Sequence, residues 1–181
     1  MYGMVHRAIH DLAAKHADHA TWARIKARAG LEEDVFLSME SYPDEVTLAL
    51  VVAAAAELGT SVDALLEQFG EHWISYAAEH GYRDLLQARG DSLFAFVARL
   101  DDLHARLSLI FPKLRPPSFK TEMLDARTMR VFYSSERSGL APFVTGLIRG
   151  LGKLFATPVQ VALHKRREDA LGHDEFLVTT V

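Results

Sequence analysis

The chain has 181 residues, 49% hydrophobic and 24% charged, which is enough to bury a core and to enclose a flat small molecule. A formal charge of −4 leaves no basic excess for a nucleic-acid surface. With no cysteine, disulfides, thiolate metal sites and cysteine nucleophiles are excluded together, and histidine is left as the obvious soft-metal ligand.

The N-terminal turns mix charge and histidine and lack the apolar core of a secretory signal. The most apolar stretch, 46–56, is too short to span a bilayer. A cytoplasmic protein without a membrane partner is expected. Apolar residues recur at helical spacing over 5–13, 22–29, 46–58, 62–77 and 93–107. Residues 60–63 resemble a capping box, Pro43 with Asp44 and Glu45 suits a first turn, and Gly30, Gly59 and Gly81 suit helix ends. The prolines at 112, 116 and 117 then break the pattern. Strands are predicted at 119–124 and 129–135 about a turn near Asp125, a helix at 142–155, and a closing hairpin of 159–163 with 176–181 whose loop contains 164–169. The fold class is α+β: one domain over 1–181, a helical part (1–110) packed on an antiparallel sheet (111–181) that bears one long helix.

Two groups of residues could carry chemistry. A helix over 93–107 aligns Leu93, Phe96, Val97, Leu100, His104 and Leu107 in one stripe, so His104 faces inward. Alone, such a histidine is most simply a core residue bonded to a carbonyl. In an extended segment Tyr133, Ser135 and Arg137 share one face about 13 Å long, and two hydroxyls and a guanidinium there could hold a pair of carboxylates. Alone, that run is most simply a solvated strand end.

Taken together, His104, the pair Pro116-Pro117 and the motif Tyr133-x-Ser135-x-Arg137, in this order and spacing, resemble the heme-nitric oxide/oxygen-binding (H-NOX) family over nearly the whole chain. The resemblance implies heme b buried between the two parts, His104 as axial iron ligand, and Tyr133, Ser135 and Arg137 holding the heme propionates. It implies that a proline of the pair, Pro117 by spacing, presses on the porphyrin. In family members that hold oxygen, a tyrosine on the next helix donates to it; the alignment puts Phe143 there, with Pro142 the alternative. Val5, Trp73, Phe143 and Leu147 are the candidate apolar lining, and Tyr76, Tyr82, Trp73 or Thr145 could still bring a donor.

The resemblance thus implies a non-enzymatic sensor that binds nitric oxide and carbon monoxide, excludes oxygen, and acts on a histidine kinase or a cyclic-di-GMP enzyme, no output domain being left over in the chain. The competing readings are a heme peroxidase or nitric oxide dioxygenase, and a heme-free interaction module. The pairs His6/His10 and His16/His19 have zinc-like spacing but read as surface residues, and His72 and His80 have weak claims. Lys165-Arg-Arg167 reads as a solvated hairpin tip, and Gly150-Leu-Gly152 lacks the context of a phosphate loop.

Overall fold

The computed structural model describes residues 1–16, 18–32, 35–82, 84, 92–168 and 172–181. Four helices come first: α1 (Gly3–His16), α2 (His19–Arg28), α3 (Asp44–Glu57) and α4 (Val62–Ala77). Their starts are chemically marked. Asp18 accepts from Thr21 N at 2.9 Å, and Ser61 accepts from Ala64 N at 3.1 Å, so the α4 cap is Ser61 rather than Thr60. Pro43 precedes Asp44 and Glu45 in the first turn of α3. At its far end α4 widens into a π turn, Ala78–Tyr82, where Gly81 takes φ 95° and leaves the helix. The side chains of His16 and His19, and Asp169, lie outside the described residues.

The predicted helix over 93–107 is two helices, α5 (Leu93–Val97) and α6 (Leu100–Ile110). Periodicity could not register the break, because Leu93, Phe96, Val97, Leu100 and Leu103 are all buried on either side of it. What displaces α6 is tertiary. Asp101, in its first turn, accepts from Phe119 N at 2.7 Å and from Ser118 Oγ at 2.8 Å.

The sheet has the order β1-β2-β4-β3, all neighbours antiparallel: β1 (Ser118–Met123), β2 (Thr128–Ser134), β3 (Val159–Lys165) and β4 (Asp174–Thr180). Period-2 burial of Met129, Val131 and Tyr133 on β2 defines its inner face. The helix α7 (Ala141–Leu154), started by Pro142, covers that face with Val144, Ile148 and Leu151.

Buried side chains form two clusters, one among α1 to α4 and one joining the sheet, α5, α6 and α7; Trp73 and Leu140 pack against both. The clusters are linked most intimately where α4 crosses α7. A Cβ at Gly70 would overlap the Phe143 carbonyl, one at Gly146 the Glu67 carbonyl, and one at Gly150 would stand 2.8 Å from the Glu71 carbonyl. Glycine is therefore required for the backbones to approach this closely. Arg149 pairs with Glu67 at 2.7 Å and Lys153 with Glu71 along the same crossing. Among the described residues, no single helix is long and apolar enough to cross a membrane.

Candidate functional site

Between the two clusters lies a cavity of about 500 Å³, within the range of small-molecule and cofactor sites. All ten residues singled out from the sequence line it: His104, Pro116, Pro117, Tyr133, Ser135, Arg137, Val5, Trp73, Phe143 and Leu147. They come from α1, α4, α6, the 111–117 segment, β2 and its following turn, and α7.

His104 stands on α6 with its ring 5.9 Å from that of Phe119. Its Nδ1 is buried without a hydrogen-bond partner among the described residues. Burial lowers the pKa of the ring from its usual value, opposed by the Asp101 charge and the Pro117 backbone. The imidazole is thus neutral near pH 7, the form that offers a lone pair to a metal.

The polar end is built at the exit of β2. The strand stops at Ser134, so Tyr133, Ser135 and Arg137 do not share one extended face as predicted. Instead the chain bends after the strand, and the Arg137 N–H donates to Ser135 Oγ at 3.1 Å. All three still line the cavity: Tyr133 by its inward position on β2, and Ser135 and Arg137 beside each other in the bend. Ser135 keeps its own hydroxyl proton for donation. Burial raises the Tyr133 pKa; the adjacent Ser135 hydroxyl and the Arg137 and Arg167 charges act against it, and the Asp174 charge with it, so the phenol remains a donor.

Arg137 already grips a carboxylate. Its Nε and Nη2 donate to Asp44 Oδ2 and Oδ1 at 2.8 and 3.2 Å, and its Nη1 to the Arg115 carbonyl at 2.8 Å. Asp44 also receives the Met1 amine at 2.8 Å. Burial would raise the Asp44 pKa, but Arg137 and the Met1 amine outweigh it and hold it below the usual carboxylate value. No local pattern could have revealed this pair, whose members are 93 residues apart. In sequence, Asp44 is simply a first-turn acid.

Of the side chains that could add a donor, Trp73 and Tyr82 line the cavity, whereas Tyr76 stacks on His80 and Thr145 Oγ1 donates to the Ala141 carbonyl. Two discounted features are revised. His6 is fully buried, with Nε2 2.7 Å from Thr47 Oγ1 and its ring against Phe36 and Tyr42, because α1 packs inside the helical cluster; His10 is exposed as read, its ring tilted 52° to that of Trp22. Arg167 is half-buried rather than a solvated tip, and its guanidinium reaches the carbonyls of Ser135 and Arg137. His72 faces Asp11 at 3.0 Å, and His80 Nδ1 lies 2.8 Å from the Tyr76 carbonyl. Gly150 and Gly152 are packing positions against Glu71 and Thr157. Among the described residues, no three His, Asp or Glu side chains converge on a metal position.

An apolar cavity, a neutral imidazole on one wall and a cluster of carboxylate donors at one end suit a metalloporphyrin with acidic side arms. Residues 2–163 match the haem-NO-binding family. Similar curated proteins include two soluble guanylate cyclases of Caenorhabditis elegans: gcy-35, 28% identical over all of this chain and 28% of that protein, and gcy-37, 30% identical over 93% of this chain and 24% of that protein. The chain thus spans about a quarter of the length of these relatives. Similar solved structures include an H-NOX protein from S. oneidensis in the Fe(II)NO state, with TM-score 0.89, 18% identity, and coverage of 100% of this chain and 99% of that one. The unliganded Fe(II) H-NOX protein from K. algicida has TM-score 0.87 and 24% identity, with coverage of 100% and 97%. The chain belongs to the haem-NO-binding family, a family of heme-based gas-sensing domains, and its cofactor is heme.

Proposed function

We propose that this chain is a nitric oxide sensor in which His104 is the axial ligand of heme b and Tyr133, Ser135 and Arg137 hold the propionates. The observation that carries the reading is that one cavity joins His104, whose buried Nδ1 has no hydrogen-bond partner among the described residues, to a set of donors suited to carboxylates, one of which already holds Asp44 by a fork. When bound, heme would supply a ferrous iron able to bind nitric oxide or carbon monoxide.

The residues do the rest. Arg137 exchanges Asp44 for, or shares it with, an acidic side arm, while Tyr133 and Ser135 donate their hydroxyl protons. Pro116 and Pro117 form a stiff edge on the cavity wall, with Pro117 the one that presses on the macrocycle. Phe143 and Leu147, with Val5 and Trp73, offer a lining in which the α7 position facing the ligand carries only carbon, so a polarised diatomic such as dioxygen receives no donor there. Nitric oxide needs none. Were His104 freed from the iron, the helical part would shift against the sheet, a population shift that a partner would read. The partner is a histidine kinase or a cyclic-di-GMP enzyme, the setting is cytoplasmic, and the chain, acting as one domain over 1–181, is itself not a catalyst.

Absorption spectra of the ferrous protein, unliganded, in air and with nitric oxide, test this reading. The expected result is a heme Soret band that shifts with nitric oxide and not with air. A stable oxygen spectrum overturns oxygen exclusion, and loss of that spectrum in Tyr82→Phe identifies the donor; no Soret band after heme supplementation overturns the whole reading.

A further inference from the structure

The turn that carries Ser135 and Arg137 lies beyond the sheet. Ladder pairing of β2 ends at Ser134 with Ser118 on one side and at Tyr133 with Asp174 on the other. The carbonyls of Ser135 and Arg137 therefore have no strand partner, and backbone groups in such a position need a donor from elsewhere. Arg167, on the β3–β4 connection, supplies it: its Nη1 lies 3.0 Å from the Ser135 carbonyl and 3.1 Å from that of Arg137. Arg167 is in turn fixed by its own N–H, which donates to Asp174 Oδ1 at 2.9 Å. Asp174 is only 5% exposed and stands opposite Tyr133 in the ladder. A closed circuit results: Tyr133 pairs with Asp174, Asp174 holds Arg167, and Arg167 holds the two carbonyls that flank Glu136. Arg167 itself is not among the residues lining the cavity.

We infer that Arg167 is a positioning residue for carboxylate recognition, holding the 135–137 turn in the shape that aims Ser135 and Arg137 into the cavity beside Tyr133. The inference rests on the heme reading above. Without this guanidinium the two carbonyls turn to water, the bend relaxes, and the Arg137 fork loses its aim. Contacts with the apolar faces of the porphyrin are unaffected, because they come from other elements. The β3–β4 hairpin thereby becomes part of the cofactor site although it touches none of the cofactor.

The prediction separates carboxylate recognition from general stability. The full chain and its Arg167→Ala variant are loaded with heme or with heme dimethyl ester, whose acids are masked, and loss of each porphyrin to excess apomyoglobin is timed. Arg167→Ala is expected to lose heme about tenfold faster than wild type, the worth of a hydrogen-bond set to a charged donor, and to lose the diester at the wild-type rate. Equal acceleration of both porphyrins, or of neither, overturns the inference. If Arg167→Ala does not fold, Arg167→Gln, which keeps bulk but loses charge and reach, is judged by the same ratio, and a wild-type ratio overturns it. A wild-type chain that releases heme and diester equally fast refutes the carboxylate cradle itself, and the inference with it. Wild type that retains heme longer while Arg167→Ala leaves that preference intact refutes the inference alone.

Discussion

Two helices bring side chains to the cavity from different kinds of anchorage: α6 carries His104, and α7 carries Phe143 and Leu147. The second is clasped to α4 backbone against backbone, through Gly70, Gly146 and Gly150. The first is separated from α5 by a break at Ala98 and Arg99, leans on β1 through the side chain of Asp101, and ends in exposed Leu109 and Ile110, 83% and 56% accessible. A clasp without intervening side chains has no slack, since packed interiors resist small displacements. A side-chain hydrogen bond at the surface exchanges readily with water. In the proposed mechanism the pocket wall is therefore the fixed reference, and α6, though Leu100 and Leu103 seat it in the core, is the part that would answer.

The largest test removes the proposed ligand. His104→Ala is expected to leave the purified protein without a Soret band unless imidazole is supplied, and full heme occupancy without imidazole would break the assignment of α6 as the responding element. Next is the clasp. Gly146→Ala drives a methyl into the Glu67 carbonyl, and over-packing of this kind costs about 3 kcal/mol, seen as a fall in Tm of roughly 6–12 °C. A Tm within about 2 °C of wild type would mean that the crossing has slack after all.

A comparable effect belongs to His6, behind the fixed wall. Burial, aided by the Met1 amine, lowers its pKa from 6.5 to about 4. The unfolded chain takes up this proton near pH 6.5 and the folded chain only near 4, so acid favours unfolding in between. The stabilisation is complete above pH 6.5 and is lost as pH falls to about 4, at most about 3 kcal/mol. In urea titrations His6→Gln should flatten the stability slope within that window by up to about 1.4 kcal/mol per pH unit. Burial lowers the pKa values of His72 and His104 in the same direction, so part of the acid sensitivity persists. An unchanged slope would show that His6 is hydrated in the folded protein. The smallest effect sharpens the contrast. Asp101→Ala is expected to cost about 1 kcal/mol and to speed amide exchange at Phe119 and along α6, with no change over Ala141–Leu154. Equal acceleration in both helices would erase the distinction between them.

The elements were legible wherever one residue type or one period decides them. Pro142 opens α7, Gly81 closes the turn after α4, and alternation along β2 sets its inner face. His104 and the 133–137 motif were legible as candidates because each has a plain chemical character, and the order of three weak signals singled out the family. What stayed hidden depends on distance in sequence. The break before α6 follows from Asp101 meeting Phe119, the bend after β2 from a serine accepting its neighbour's N–H, and the partner of Arg137 enters from α3. Arg167 carries no local mark at all, because its significance lies in two carbonyls 30 and 32 residues away.

The glycine clasp has a practical side for protein engineering. Gly70 sits against the backbone of Phe143 and Leu147, so these two positions hang from a backbone that side-chain exchange does not move. Their substituents can be swapped as interchangeable fittings on a rigid mount. The cavity lining can then be redesigned residue by residue, and a changed property can be credited to the new side chain instead of to a drifting helix.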